Sequence, residues 1–234
     1  MNLMVLRTGD AAPNVSRRFG EFFGLIRQRV GEAWTGTWTE HDLRSAESPP
    51  SLKDADGFII SGSDRSVTDN EPWMLRAQDY IRELVAEDVP LLGICFGHQL
   101  IAKAIGGEVE PNRYGAEIGT VSINVVQNDP LFQGLPDGFT ASAYHHDTVT
   151  SLPSQARLLS TTDLDQNSAY AVGKNVRSVQ FHPDFEGDVM RGYIDARAGS
   201  IRKMGQDPEA LSAAVEKHPL GCQVLQNFVR NFVR

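Results

Sequence analysis

The stretch Val89-Pro90-Leu91-Leu92-Gly93-Ile94-Cys95-Phe96-Gly97 decides the fold class of this chain. Residues 89–94 are apolar without polar alternation, which is typical of a strand covered on both faces. A helical pattern of apolar residues follows over 98–105. The glycines on either side of Cys95 favour a sharp turn between strand and helix, because they bring no side chains that would clash there. The stretch therefore predicts a buried strand, a tight turn and a helix.

The same strand-then-helix unit occurs twice before this stretch. Residues 3–6 and 57–63 are predicted to form buried strands. A helical pattern over 19–26 follows the first strand, and a helix over 72–87 follows the second. This repetition predicts an α/β fold with a doubly wound, largely parallel sheet flanked by helices.

The second half of the chain has a different pattern. Between 107 and 180, short β-prone runs alternate with turn signals such as Asn128-Asp129-Pro130, which predicts mixed or antiparallel strands. Beyond Pro183 the pattern is helical again and ends on an apolar stripe over 224–233. No linker or low-complexity tract divides the chain, so we expect one domain over 1–234, with about 186–234 as a helical C-terminal extension.

Composition excludes several classes of partner. The chain has 234 residues, a net charge of -8 and a pI near 5.2, so it offers no basic field to attract nucleic acid. No apolar run approaches the roughly 20 residues that span a bilayer, and the apolar start is too short for a signal-peptide core. We therefore expect a cytoplasmic protein that acts without a membrane or nucleic acid. The two cysteines, Cys95 and Cys222, cannot form a disulfide framework.

Cys95 lies at the centre of a G-x-C-x-G sequence between a predicted strand and a predicted helix. This is the context of a nucleophile elbow, with a thiol in place of the usual hydroxyl. The amides and positive dipole end of the following helix would favour a thiolate. The alternative is a buried apolar cysteine between loop glycines. Cys222 lies in the apolar tail without a base nearby in the sequence, and we expect it to be structural.

A second polar group lies at the end of another predicted strand. Val179-Gln180-Phe181 leads to His182, and Asp184 follows two residues later. Pro183 stops the strand, so both side chains should emerge at its tip, which is where parallel α/β sheets bind ligands. Together with an elbow cysteine, an imidazole and a carboxylate provide the base and the orienting group that acyl transfer needs. The alternative for His-Pro-Asp alone is a surface turn.

In these motifs the sequence resembles the class I glutamine amidotransferase family. The resemblance rests on Gly57-Phe58-Ile59-Ile60-Ser61-Gly62-Ser63, on Leu92-Gly93-Ile94-Cys95-Phe96-Gly97-His98-Gln99-Leu100 with Ile105-Gly106-Gly107, and on Phe181-His182-Pro183-Asp184. The sequence is most similar to free-standing members that resemble the amidotransferase part of GMP synthetase, a group that also includes γ-glutamyl peptidases. The resemblance implies a flavodoxin-like fold.

The resemblance also implies roles for individual residues. Cys95 matches the nucleophile and His182 the general acid and base. Asp184 stands where the family usually has Glu, so either Asp184 or Glu186 orients His182, and we favour Asp184 for its position. The backbone amides of Ser63 and Phe96 match the oxyanion site.

Further positions match the substrate side of the family's site. Gln99 is expected to orient the substrate. His145, with Asp147, is expected to contact the substrate or to support the elbow, and His146 is expected to be a spectator. Neighbouring strand residues point to opposite faces, so His145 and His146 should not share a metal ion, and we expect neither metal nor organic cofactor.

The reaction implied is hydrolysis of the γ-carboxamide of glutamine through a γ-glutamyl thioester, with release of ammonia. The chain has no room for a synthetase domain, so either a separate synthetase subunit takes the ammonia or the enzyme only hydrolyses its small-molecule substrate. The alternatives are a γ-glutamyl peptidase or hydrolase, and a non-catalytic binding module on the same fold.

Overall fold

The structure is a computed structural model that describes residues 1–233. Its centre is a nine-stranded sheet in the order β2-β1-β3-β4-β11-β10-β9-β6-β7, and β5 pairs separately with β8. The strands within residues 1–233 are β1 Asn2–Arg7, β2 Thr37–Asp42, β3 Gly57–Ile60, β4 Leu91–Ile94, β5 Glu108–Pro111, β6 Glu117–Val125, β7 Gly138–His145, β8 Asp147–Ser151, β9 Ala156–Thr161, β10 Ala169–Val172 and β11 Val176–Val179.

Helices cover both faces of this sheet. The α-helices are α1 Pro13–Phe19, α2 Phe22–Val30, α3 Pro72–Ala86, α4 Phe96–Ala104, α5 Gly187–Lys203, α6 Pro208–Ala214 and α7 Gln223–Phe232. Single 3-10 turns are formed by Gly31–Ala33, Val67–Asp69, Pro130–Phe132 and Leu220–Cys222. Within the described range, no helix is both long and apolar enough to pass through a bilayer.

Strand direction divides the sheet into two halves. Strands β2, β1, β3, β4 and β11 are parallel to one another. From β11 to β7 every pairing is antiparallel. The predicted α/β class with a mixed sheet is therefore confirmed, and the predicted change of strand pattern falls in the second half of the chain. Because β3, β4 and β11 are adjacent and parallel, their carboxyl ends meet at one edge of the sheet.

The helix predicted over 19–26 is confirmed from Phe22 onward, but Phe19 belongs to an earlier helix. Two helices occupy this region, because α1 ends at Phe19 and α2 begins at Phe22. Gly20 separates them with a φ of 93°, a backbone conformation that residues other than glycine rarely adopt. The apolar spacing continues across the break, which is why the sequence pattern is continuous there.

Successive residues of a strand pack into two different core clusters, one on each face of the sheet. In β1, Leu3 and Val5 face a cluster that includes α2 and α7, whereas Met4 and Leu6 face a cluster that includes α3 and α4. This is the period of two that strand geometry imposes. A sheet buried on both faces explains why its parallel strands are continuously apolar.

The last helix, α7, packs on the sheet like the earlier ones. Its buried residues are Val224, Leu225, Asn227, Phe228, Val229 and Phe232, and its neighbours in the core include Ile26 and Val30 of α2. We therefore propose that the C-terminal extension belongs to the same domain as the sheet.

Phe228→Ala tests this proposal. Phe228 is fully buried, so its truncation should lower the free energy of unfolding by about 3–5 kcal/mol. Arg230→Ala on the exposed face of the same helix is the matched control and should change the value by less than about 0.5 kcal/mol. Denaturant unfolding measures both. A loss below about 1 kcal/mol in Phe228→Ala would show that α7 is not part of the cooperative core.

Candidate active site

The site is built around the turn between β4 and α4. Cys95 has φ 51° and ψ -101°, a backbone conformation that costs a non-glycine residue about 1–3 kcal/mol. Hydrogen bonds hold it there: the Cys95 amide donates to the Val179 carbonyl at 2.9 Å, and the Cys95 carbonyl accepts from the Gln99 amide at 3.1 Å. The turn is therefore fixed to β11 on one side and to α4 on the other.

Close packing explains the glycines on either side of Cys95. A Cβ at Gly93 would lie 2.6 Å from Ile101 Cδ1 and 2.7 Å from the Gly97 carbonyl oxygen. A Cβ at Gly97 would lie 2.7 Å from the Ile60 carbonyl oxygen. Real Cβ atoms do not approach other atoms so closely, so both positions need glycine for α4 to pack directly against β3 and β4.

His182 follows β11 and has a fixed ring orientation. Its amide donates to the Ser142 carbonyl at 2.7 Å, which ties the segment to β7, and its carbonyl accepts from the Phe185 amide at 3.3 Å. The ring stacks on Phe185 with centroids 4.0 Å apart and planes 11° from parallel. On another side, a Cβ at Gly62 would lie 2.8 Å from His182 Cε1. The imidazole thus has little room to rotate.

The structure places Asp184, and not Glu186, against the histidine. Asp184 Oδ1 lies 3.0 Å from His182 Nδ1, and the Asp184 side chain is fully buried. Glu186 instead pairs with Arg29 and lies 3.5 Å from His218. A carboxylate oxygen accepts a hydrogen bond, so Nδ1 is the nitrogen that donates to Asp184, and Nε2 is the nitrogen that Asp184 does not contact.

The protonation of His182 depends on its charged neighbours. Burial lowers the pKa of His182, whereas electrostatic interactions and hydrogen bonds with Cys95 and Asp184 raise it and prevail, so the pKa is about 10. The ordinary histidine pKa is about 6.5. Protonation of His182 therefore stabilises the folded chain fully below about pH 6.5, and this stabilisation is lost as the pH rises through about 10.

Most of the predicted site residues line one cavity of about 280 Å³. Those that line it are Cys95, His182, Ser63, Phe96, Gln99 and His145, and Asp184 lies behind His182. The Cys95 sulfur is 3.7 Å from the Tyr144 carbonyl oxygen. Residues that the sequence did not single out also line the cavity, among them Phe22 of α2 and Tyr193 and Arg197 of α5. No sequence motif marks these three, because they belong to helices whose positions only the fold determines.

The two residues whose backbone amides are expected to bind the oxyanion, Phe96 and Ser63, both line this cavity. Phe96 is the first residue of α4, where an amide has no acceptor within the helix. Ser63 lies in the loop after β3, and among residues 1–233 no acceptor is found for its amide. Gly9 allows this loop to approach, since a Cβ there would lie 2.8 Å from Ser63 Cα.

Gln99 is more constrained than the expectation of a free substrate-orienting side chain implies. Its amide nitrogen donates to the Asp147 carbonyl at 2.8 Å and to Gln180 Oε1 at 3.0 Å. Both N–H donors are thus used to connect α4 with the strands beyond it. Any contact of Gln99 with a substrate must therefore use its oxygen.

His145 belongs to a buried hydrogen-bonded cluster beside the cavity. Its Nδ1 lies 2.9 Å from the Asp147 carbonyl oxygen and its Nε2 lies 3.0 Å from Glu117 Oε2. Burial lowers the pKa of His145, but the hydrogen bond to Glu117 and the charge of Asp165 outweigh it and raise the pKa. The carboxylates of Glu117 and Asp165 were not expected beside His145, since Glu117 begins β6, Asp165 lies in the loop before β10, and only the fold brings them together.

This cluster is also the one group within residues 1–233 with the geometry to hold a metal ion. Ligand atoms of Glu117, His145 and Asp165 lie within 4.8 Å of one another. Both carboxylates already accept hydrogen bonds, Glu117 from Thr162 at 2.6 Å and Asp165 from Thr148 at 2.7 Å. These bonds form a network that joins β6, β7, β8 and the loop before β10.

Of the two residues expected to take no part in the chemistry, Cys222 lies outside the cavity, whereas His146 lines it together with His145. Cys222 is unpaired, and its sulfur lies 3.5 Å from the Phe185 carbonyl oxygen. Burial raises the pKa of the Cys222 thiol to about 12, so it is an inert thiol at neutral pH. His146 lines the cavity beside Tyr144, and burial lowers its pKa.

The fold is that of an α/β protein with an elbow, a sharp turn between a strand and a helix, at the carboxyl ends of parallel strands. The elbow carries Cys95, and an imidazole that contacts a carboxylate lines the same cavity. The family model "Glutamine amidotransferase class-I" matches residues 28–194, and the chain belongs to that family.

Relatives are similar to this chain in sequence, and a solved structure is similar to it in fold. The chain is 29% identical to γ-glutamyl peptidase 4 of Arabidopsis thaliana over 99% of this chain and 94% of the relative. It is 33% identical to a subunit of the glutamine-hydrolyzing GMP synthase of Archaeoglobus fulgidus over 76% of this chain and 93% of the relative. The fold is similar to that of a glutamine amidotransferase from Thermotoga maritima, with a TM-score of 0.77 and 22% identity over 99% of this chain and 96% of that one.

Asp184→Asn should lower the pKa of His182, because it removes one of the two negative charges that raise it. Histidine ring titration followed by NMR measures this pKa. Glu186→Gln is the matched control, since Glu186 pairs with Arg29 and not with His182, and it should leave the pKa of His182 unchanged. If Asp184→Asn has no effect, the carboxylate at 184 does not control the protonation of His182.

Proposed function

We propose that this protein is a cysteine hydrolase that cleaves the γ-amide bond of glutamine or of a γ-glutamyl compound through a thioester at Cys95. The observation that carries the proposal is the placement of Cys95, at φ 51°, in the same cavity as an imidazole that Asp184 contacts. Membership of the class I glutamine amidotransferase family supports the same chemistry.

The geometry suggests how each group would act. The Cys95 thiolate attacks the γ-carbonyl carbon, and the amides of Ser63 and Phe96 stabilise the oxyanion that forms. His182, protonated and oriented by Asp184, donates its Nε2 proton to the departing nitrogen and leaves a γ-glutamyl thioester on Cys95. The neutral imidazole then takes a proton from water, whose oxygen attacks the thioester, and glutamate is released. Ammonia or an amine is the other product.

Substrate recognition is proposed for the side of the cavity near Gln99 and His145. The Gln99 oxygen is suited to accept a hydrogen bond from the α-amino group of the γ-glutamyl unit. His145 acts through the Tyr144–Asp147 segment, because its Nδ1 contacts the Asp147 carbonyl. That carbonyl also accepts a hydrogen bond from the Gln99 side chain, and the Tyr144 carbonyl contacts the Cys95 sulfur. We therefore assign His145 a positioning role.

The comparisons support two candidate substrates, a γ-glutamyl compound and glutamine. The family model ends at residue 194, whereas the match to the γ-glutamyl peptidase covers 99% of the chain and so includes the C-terminal helices. That favours a hydrolase acting on γ-glutamyl compounds. The similarity to part of a GMP synthase favours a glutaminase that supplies ammonia to a separate synthetase subunit. Parallel assays with glutamine and γ-glutamyl dipeptides distinguish the two, and copurification of a synthetase would support the second.

Cys95→Ala should lower hydrolysis of the accepted substrate by about 10⁴-fold or more, because the thioester can no longer form. The variant should keep the far-UV circular dichroism spectrum of the unsubstituted protein, since only one sulfur atom is removed. Cys222→Ala is the matched control and should retain most of the activity, because that thiol is inert.

Labelling by iodoacetamide at pH 7 gives an independent readout, and the adduct should lie at Cys95 and not at Cys222. Comparable turnover in Cys95→Ala would exclude Cys95 as the nucleophile. A folded protein that gives neither turnover nor a Cys95 adduct would instead be a binding module.

Gly62→Ala should reduce kcat by about 10- to 100-fold, because its Cβ would displace the His182 ring from its position. Gly24→Ala is the matched control, since a Cβ at Gly24 meets nothing within 4 Å. Steady-state kinetics and thermal unfolding are measured for both variants. Full activity in Gly62→Ala would mean that the ring position seen here is not needed for catalysis.

A further inference from the structure

A second cavity adjoins the one that contains Cys95. It measures about 430 Å³ and is lined by the loops that follow β1 and β3 and by Arg197 of α5. Five residues line both cavities, namely Asp10, Ser63, Asp64, Arg65 and Arg197. The two spaces therefore meet next to the loop whose Ser63 amide is proposed to bind the oxyanion.

The second cavity lies on the opposite side of Cys95 from the proposed γ-glutamyl site. Its loops follow β1 and β3, on one side of β4 in the sheet, whereas His145 belongs to β7 at the far edge on the other side. Gln99 and His145 line only the first cavity. A substrate held by its γ-glutamyl end near Gln99 would thus extend past Cys95 toward the second cavity.

The charges around the shared opening leave one arginine well suited to bind an anion. Asp10 is occupied by Arg44, with two contacts of 2.8 and 2.9 Å, and this hydrogen bonding lowers the pKa of Asp10. The guanidinium of Arg197, in contrast, makes one hydrogen bond among residues 1–233, to Asp64 at 3.3 Å. A guanidinium has five N–H donors in a planar fork that matches a carboxylate, so Arg197 has donors to spare.

Arg65 is the other cation at the opening, and it is less suited. Its side chain is 60% exposed and lies 3.4 Å from Glu71, whereas the side chain of Arg197 is 37% exposed. An ion pair contributes more where less water surrounds it. Arg197 is therefore the better candidate for holding a carboxylate at the boundary of the two cavities.

We propose that the second cavity receives the leaving group of a γ-glutamyl dipeptide and that Arg197 binds the carboxylate of that leaving amino acid. In such a dipeptide the carboxylate carbon is two bonds from the scissile nitrogen, so it lies close to the reacting centre, where Arg197 lines both cavities. Hydrolysis adds water across the amide and gives glutamate and a free amino acid. Glutamine would leave the second cavity empty, because its leaving group is ammonia. The inference rests on the proposed function.

The test compares two substrates that differ at one group. γ-Glutamyl-alanine carries the leaving-group carboxylate, and γ-glutamyl-alanine amide lacks it. In the unsubstituted protein, kcat/KM should be higher for the acid than for the amide by on the order of tenfold, because a hydrogen bond to a charged group is lost in the amide. Arg197→Gln should remove that preference.

Arg202→Gln is the matched control on the same helix. Arg202 is exposed, pairs with Glu209 and lines neither cavity, so its substitution should leave the ratio between the two dipeptides unchanged. A preference for the acid that survives Arg197→Gln would overturn the proposal. So would the absence of any preference in the unsubstituted protein.

Binding measurements show whether the leaving-group subsite or the proposed hydrolase activity is wrong. Calorimetry with the Cys95→Ala variant measures affinity for both dipeptides without turnover, and Arg197→Gln in that background should weaken binding of the acid by on the order of tenfold. If the protein hydrolyses glutamine but the Cys95→Ala variant binds acid and amide equally, the subsite is wrong and the hydrolase stands. If the acid preference appears in binding but nothing is hydrolysed, the subsite stands and the hydrolase is wrong.

Discussion

The backbone of Cys95 is the constraint on which the rest of the site depends. A positive φ at a residue with a side chain is unfavourable, and here the cost is offset by hydrogen bonds to β11 and α4 and by the packing of α4 on β3 and β4. The same geometry aims the thiol at the cavity and places the Phe96 amide beside it. A relaxed turn would lose both features at once, so the strain is part of how the site is organised.

His182 lies near Cys95 because the two strands that precede these residues, β11 and β4, are parallel. Strands β4 and β11 are adjacent and run in the same direction, so Cys95 and His182 leave the sheet at the same edge although they are far apart in the sequence. The antiparallel half contributes support, since β7 accepts the His182 amide at Ser142 and provides His145. The mixed sheet thus combines a cavity at the ends of parallel strands with supporting contacts from antiparallel strands.

The C-terminal helices complete both the core and the site. Helix α7 fills the face of the sheet beside α2, and α5 brings Tyr193 and Arg197 to the cavity. Family membership accounts for the elbow, but these helices determine the space around it. Differences in substrate within one family are expected to arise in such segments, because they change the walls of the cavity without changing the reacting groups.

Local patterns were enough to predict the α/β class, the tight turn at Cys95 and the closeness of Asp184 to His182, because each depends on residues that are close together in the chain. Strand burial, turn glycines and a strand-ending proline are all properties of short segments. The partner of His182, the tie between Gln99 and Gln180, and the charge cluster around Glu117 depend on contacts across 2, 81 and 28 residues respectively. Only the first of these distances is short enough for sequence reasoning. The longer contacts, and the approach of Arg197 to the cavity, were decided by tertiary packing, because a side chain's neighbours across the sheet are set by how helices and strands close on one another.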